Sequence, residues 1–281
     1  MSTAKTNAEM LKTIKQYNKT EREKKAVKEG LSTAAKFIEF LENQISLGFN
    51  NDEYLKPALS LSTPVSKRKS PIKSKIIKVR PIVHIVDVID KSGSMSGGKD
   101  DAAVKGINMG VKMLREDISE VNYTYTLCDF SDTIIFRNSM VSLDDAKPLK
   151  AGTRLSTSLY DAIGETINLI LESKQPDDKV LVNIYTDGQE NSSKKFNAYQ
   201  IAGLIEKLSN EGWTFTFVGT VNDVAYAQKN LKFHDSNTLV HDNTEKGIRG
   251  SMVTNSVSRS AYSAKVVAGE DVSKGFYKNI E

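Results

Sequence analysis

From residue 81 onward the chain alternates short, nearly continuous apolar runs with longer segments whose apolar residues recur every three or four positions. Few architectures accept that alternation. Ile82 to Ile89 is the first run, as expected for a strand buried on both faces of a sheet. Ala103, Ile107, Val111 and Leu114 then mark a helix. Val121–Phe130 and Thr133–Arg137 read as a strand pair around Ser131-Asp132. Leu159, Ile163, Ile167 and Ile170 mark a second helix, Val180–Thr186 another buried strand, and Ile201, Leu204, Ile205 and Leu208 a third helix. Trp213–Gly219 reads as a strand, Val221–Leu231 as a helix, Thr238–Val240 as a short strand and Thr244–Val266 as a final helix. Strands alternating with helices imply a mostly parallel sheet between helical layers, and right-handed crossovers wind it as a three-layer, Rossmann-like, doubly wound α/β domain. The 281 residues suffice for one such domain plus a smaller appendage.

The appendage is N-terminal. Val27, Leu31, Ala34, Ile38, Leu41 and Ile45 share one helical face, Thr20-x-x-Glu23 is a capping box, and Gly48 is a stop signal, so residues 21–46 read as a helix. A shorter helix runs through Met10, Leu11 and Ile14. Around residue 56 the character changes. Pro57, Pro64 and Pro71 break helix, and Lys67-Arg68-Lys69 is followed by Lys73, Lys75, Lys78 and Arg80 without an acid. The expected division is therefore a helical arm (1–49), a basic Pro/Ser linker (50–79) and the α/β domain with a C-terminal tail (80–281).

The formal charge of +4 hides an asymmetry. Residues 1–80 hold 17 Lys or Arg against 8 acids, and residues 81–281 hold 22 against 27. A basic arm on a mildly acidic body invites a nucleic-acid reading, but the favoured one is that exposed lysines simply keep the arm soluble. No aromatic lies between Tyr54 and Arg80 to stack on bases, which weakens the first. The single cysteine, Cys128, excludes an internal disulfide framework and fits a reducing compartment. The first twenty residues lack an apolar signal core, and no run reaches the roughly 18 apolar residues of a membrane helix. The expectation is a cytoplasmic protein with no membrane partner.

In doubly wound sheets, ligands bind at the carboxyl edge of the strands where the winding reverses. Three loops put oxygen ligands there: Asp90-Lys91-Ser92-Gly93-Ser94, Gly152-Thr153-Arg154-Leu155-Ser156-Thr157, and Thr186-Asp187-Gly188. Together they resemble the metal-ion-dependent adhesion site of von Willebrand factor A domains, bacterial and phage type. The D-x-S-x-S motif of that family matches Asp90, Ser92 and Ser94. Thr157-Ser158-Leu159-Tyr160-Asp161-Ala162-Ile163 looks like its T-x-L-Y-D-A-I run, and Asp187 in Tyr185-Thr186-Asp187-Gly188 matches its last acid. Glu245-Lys246-Gly247-Ile248 and Ser258-Arg259-Ser260-Ala261-Tyr262 resemble its last helix. The resemblance covers about residues 80–266 and leaves 1–79 outside.

It implies that Asp90, Ser92, Ser94, Thr157 and Asp187 hold one divalent cation, the hydroxyls directly and the acids often through water. A partner protein's Asp or Glu would complete the coordination. Thr153, after Gly152, is the alternative to Thr157. Hydroxyls and carboxylates are hard donors, which independently suits Mg²⁺ first, or Mn²⁺ or Ca²⁺, rather than Zn²⁺. A phage-encoded member would be virion-associated. Each residue also has a duller explanation: Ser92, Ser94 and Thr157 as helix caps, Asp187-Gly188 as a turn.

A rival class is a nucleotide-binding loop, because Gly93 to Lys99 fits G-x-x-x-x-G-K after a strand and before a helix. Asp100 stands where the Mg²⁺-binding hydroxyl belongs, and Asp90 would repel phosphate. Other readings are a structural protein whose metal site has decayed, which the intact motif opposes, and nucleic-acid binding through the arm. Catalytic groups are not in evidence. His84 reads as a core histidine, His234 and His241 lack metal spacing, Cys128 reads as a buried hydrophobe, and Trp213, Phe215 and Phe217 read as packing. The expected role is metal-dependent protein binding without catalysis.

Overall fold

The computed structural model describes residues 80–278. The helices expected over 21–46 and around Met10–Ile14, and the basic linker, lie outside the described residues.

The first strand, β1 (Ile82–Asp90), is buried along its length except at Ile82. Its β-branched residues suit a pleated surface covered on both sides. It pairs in parallel with β2 (Asn122–Phe130) on one side and β4 (Lys179–Tyr185) on the other. β3 (Ile134–Ser142) runs antiparallel to β2, while β5 (Thr214–Gly219) and β6 (Thr238–Val240) continue the parallel arrangement. The order is β3-β2-β1-β4-β5-β6. The chain therefore starts in the middle, winds outward through β2 and β3, then returns and winds the other way. The reversal lies between β1 and β4, which fixes where a ligand site belongs.

Among the described residues five helices cover the sheet: α1 (Lys99–Arg115), α2 (Leu159–Ser173), α3 (Ala198–Asn210), α4 (Val221–Leu231) and α5 (Glu245–Ala268). Ala103, Ile107 and Leu114 of α1 and Ile248, Met252 and Val266 of α5 join Val83, Ile85 and Ile89 in one core. Ile163 and Ile167 of α2, Ile201 and Ile205 of α3, and Val224 and Leu231 of α4 join Val86 and Val88 in the other. Alternate residues of β1 thus feed opposite layers, as its pleat requires. Each fully buried Ile or Leu contributes about 1.5–3 kcal/mol relative to exposure. α1 and α5 pack closely: a Cβ added at Gly106 would sit 2.4 Å from Met252 Cβ.

The expected three-layer, mostly parallel, doubly wound fold is the observed one. Helices start and stop within a few residues of the expected bounds, and Val221–Leu231 and Thr238–Val240 coincide with them. β3 is the exception, running to Ser142 rather than Arg137. It is an edge strand with little buried surface, so the apolar signal fades before the pairing does. Asn138 ties its middle to residue 147, through Asn138 Nδ2 to Lys147 O (2.9 Å) and Lys147 N to Asn138 Oδ1 (2.8 Å). The segment after α5 is also tied down. Val272 and Phe276 are buried, and Val272 O accepts from Thr214 Oγ1 at 2.7 Å.

One core feature has no apolar signature. Arg259 of α5 is buried and donates to the buried Asp87 of β1. Tyr125 OH and Asn183 Nδ2 also donate to Asp87, at 2.9 and 3.1 Å. Asn255 faces Arg259 Nε with its carbonyl oxygen (3.2 Å) and donates to Tyr277 OH (2.8 Å). A buried charge is tolerated when it is paired and fully hydrogen-bonded, and this network meets that condition.

Candidate metal centre

β1 ends at Asp90, whose side chain is fully buried at the carboxyl edge of the sheet. Its Oδ1 accepts the backbone N–H of Ser92 at 2.6 Å, which turns the chain sharply into a 3₁₀ helix over Gly93–Met95. That turn brings Ser92 Oγ and Ser94 Oγ within 2.8 Å of each other, Ser92 buried and Ser94 exposed. Asp90 Oδ2 accepts from Thr186 Oγ1 at 2.5 Å, so the end of β1 is bonded to the residue that follows β4. Burial raises the Asp90 carboxyl above the usual aspartate range. Hydrogen bonds from Ser92 and Thr186 oppose the rise, and the negative charge of Asp187 adds to it.

The second loop is latched onto the first. Arg154 N donates to Lys91 O (2.6 Å), and Gly152 N donates to Asp100 Oδ2 (2.6 Å). Thr157 is buried and backbone-paired with Asn191, through Thr157 N to Asn191 Oδ1 (2.9 Å) and Asn191 N to Thr157 O (3.0 Å). Glu190 fastens the next turn by accepting from Ser192 N (2.8 Å), Ser193 N (2.7 Å) and Tyr160 N (3.0 Å).

The three loops meet at Gly188. A Cβ placed on that glycine would stand 3.0 Å from Asp90 Oδ2, 3.1 Å from Ser94 Oγ and 3.1 Å from Thr157 Oγ1. A carboxylate and a hydroxyl from the first loop and a hydroxyl from the second thus face one small space beside the third. Ser92 borders it through Ser94, and Asp187 adjoins Gly188 in the chain. The Asp187 side chain is fully buried; its Oδ2 accepts from Lys99 Nζ at 2.5 Å, and its Oδ1 has no hydrogen-bond partner. An unpaired carboxylate oxygen out of water is costly, and a cation or its bound water is the partner such an oxygen lacks. Among the described residues no cluster of three or more His, Cys, Asp or Glu forms, so the hydroxyls are needed to complete a donor set. The donors present fit a hard divalent ion.

The duller explanations fare unevenly. None of the three hydroxyls caps a helix: Ser92 makes no side-chain cap bond, Ser94 lies inside the 3₁₀ turn, and the residue preceding α2 is Ser158, not Thr157. Thr153 is exposed and lines an open groove with Gly93, Asp132 and Leu155, and its hydroxyl is not among the three atoms nearest to a Cβ placed on Gly188. The nucleotide-loop reading loses its donors. Met95 N and Ser96 N bond to Ser92 O and Gly93 O, both at 3.1 Å, and Lys99 Nζ is taken by Asp187 and by Asn243 Oδ1 (3.0 Å). A phosphate cradle needs those groups free. His84 is satisfied as a core histidine, against Thr124 Oγ1 (2.5 Å) and Asp178 Oδ2 (2.9 Å). Cys128 is buried, which pushes its thiol up to about 12, so it is no nucleophile at neutral pH.

Sequence reasoning missed three residues. Thr186 positions Asp90, Lys99 holds Asp187, and Gly188 leaves the space open. Lys99 drew notice only as part of a phosphate-loop pattern.

The sequence matches no family model and no curated protein. Among solved structures the chain is similar to the pilus adhesin SpaC from Lactobacillus rhamnosus GG, in its open conformation, at 12% identity and a TM-score of 0.53 over 64% of this chain and 30% of that one. It is similar to a D319A mutant of the PilB minor pilin from Streptococcus sanguinis, at 13% identity and 0.50 over 68% and 64%. A looser match is the vWF domain of the type V pili tip protein Mfa5 from Porphyromonas gingivalis, at 12% identity and 0.45 over 64% and 96%. The chain spans less than two thirds of the adhesin and of the minor pilin. At these identities the likeness carries the fold alone: the described residues share the doubly wound α/β architecture found in a pilus adhesin and a minor pilin.

Proposed function

We propose that this domain is a metal-dependent protein-binding module without catalysis of its own. Asp90, Ser92, Ser94, Thr157 and Asp187 hold one divalent cation, Mg²⁺ first, and an Asp or Glu of a partner protein completes its coordination. The observation that carries this reading is the space beside Gly188, faced by oxygens of two loops, with the buried, unpaired Oδ1 of Asp187 on the residue next to it in the chain. Charge supports it. Two carboxylates and the Lys99 ammonium leave the empty cluster negative by one, and a dication makes it positive by one. An incoming carboxylate then neutralises the loaded site, so the metal creates the affinity for an acid. Ser94, one of the proposed donors, is exposed and so can be reached by a partner. That similar folds occur in a pilus adhesin and a minor pilin agrees with an adhesive role.

The test is calorimetric titration of the full chain with Mg²⁺. Wild type should bind a single ion per chain, and Ser94→Ala should bind it about tenfold or more weakly with unchanged thermal stability. Equal affinity in the two proteins would count against the reading.

A further inference from the structure

Beside the loop that follows β1 lies a cleft of about 480 Å³, walled by Lys91, Arg137, Lys147, Lys150 and Arg154, with Thr153 at its edge. No acidic residue lines it. Two buried carboxylates stand behind the wall. Asp129 accepts from Arg137 Nε (2.5 Å) and Arg154 Nη2 (2.6 Å), and Asp100 accepts from Lys91 Nζ. Five cations against two carboxylates leave three positive charges unbalanced. Lys147 and Lys150 are both exposed, and neither makes an ion pair among the described residues. This local excess sits on a body whose acids outnumber its bases, 27 to 22 over residues 81–281. A cationic hollow on an acidic surface is a recognition feature, since solubility alone would not gather the charges.

The cleft and the metal loop share a wall. Arg154 N is bonded to Lys91 O, one residue beyond Asp90, and Arg154 O lies 3.4 Å from where a Cβ on Gly93 would stand. The cleft therefore adjoins the loop that carries Ser92 and Ser94. Guanidinium forks and ammonium groups bind carboxylate oxygens by charge-assisted hydrogen bonds. The lining holds no aromatic ring, so a nucleic-acid base would find nothing to stack on there.

We propose that this cleft binds further acidic side chains of the same partner segment whose Asp or Glu reaches the ion, so that the partner is recognised by a run of acids. The inference rests on the metal-dependent reading for its first contact. The second contact is the cleft's own.

The test uses the full chain, fluorescent hexaglutamate as probe, and the double variant Lys147→Glu/Lys150→Glu, whose exposed positions spare the fold. In Mg²⁺ the variant should bind the probe about tenfold or more weakly, while its Mg²⁺ affinity stays within about threefold of wild type. A pentapeptide with a single Asp should bind both proteins alike. Equal hexaglutamate affinity in variant and wild type would overturn the proposal. So would an oligothymidylate of equal charge that outcompetes the peptide and loses its grip in the same variant, because the cleft would then serve a phosphate backbone. Probe binding that survives EDTA yet still needs both lysines would uphold the cleft and sink the metal contact. EDTA-sensitive binding that ignores the lysines would do the reverse.

Discussion

Lys99 Nζ lies 2.5 Å from Asp187 Oδ2, joining the first residue of α1 to the loop after β4 and leaving Asp187 Oδ1 as the unpaired atom. The ammonium thus fixes the carboxylate's orientation and sets the charge of the site. Replacing it with an apolar side chain of similar length removes one positive charge beside the ion. Lys99→Met should tighten Mg²⁺ binding about tenfold, since a unit charge a few ångströms away is worth at least 1 kcal/mol or so near a protein surface. It should also weaken the grip on a carboxylate, because the loaded cluster becomes neutral. Calorimetry with Mg²⁺, then with a single-Asp peptide, reads both signs; weaker Mg²⁺ binding would mean that orientation outweighs charge.

Thr157 and Thr153 offer a clean contrast. Thr157 Oγ1 faces the space beside Gly188, whereas Thr153 is exposed on an open groove. Thr157→Val keeps the shape and removes the oxygen. It should lower Mg²⁺ affinity about tenfold or more, while Thr153→Val should leave it within about twofold. The opposite ranking in the same titration would reassign the threonine ligand.

The Asp87–Arg259 pair makes a prediction about stability. Both side chains are buried, and each is the other's counter-charge. Arg259→Met strands Asp87 in the core and should cost about 3–5 kcal/mol in urea unfolding. Adding Asp87→Asn removes the stranded charge and keeps groups for Tyr125 and Asn183 to meet, so the double variant should recover a good part of the loss. If the double variant is no better than the single, the cost comes from packing of the arginine stem.

The fold was readable because its evidence is local. A buried strand declares itself by an unbroken apolar run, as in Ile82–Ile89, and a covering helix by spacing, as in Ile163, Ile167 and Ile170. Edge strand β3 gave less, since Asn138 is the one buried residue of its nine. Candidate ligands stood out because hydroxyls and acids recur in fixed order at strand ends, and the structure brings Asp90, Ser94 and Thr157 to one space. What sequence could not show is pairing across distance. Arg259 on a helix looks like a solvent-facing charge until β1 places Asp87 opposite it. Thr186 looks like the last residue of a strand until its hydroxyl meets Asp90. The basic cleft is likewise assembled across distance, with Lys91 and Arg137 joining the basic stretch from Lys147 to Arg154.

The most direct test of the account uses the glycine at which the loops meet. Gly188 has no left-handed backbone requirement, so Gly188→Ala should fold normally, yet its methyl group would stand 3.0–3.1 Å from Asp90 Oδ2, Ser94 Oγ and Thr157 Oγ1 and occupy the space between them. Titrating both proteins with Mn²⁺ and following the free ion by electron paramagnetic resonance should show wild type taking up a single ion, displaced by Mg²⁺, and Gly188→Ala taking up none at the same concentrations. Equal Mn²⁺ uptake by Gly188→Ala, or none by wild type, would contradict the claim that this space holds a metal.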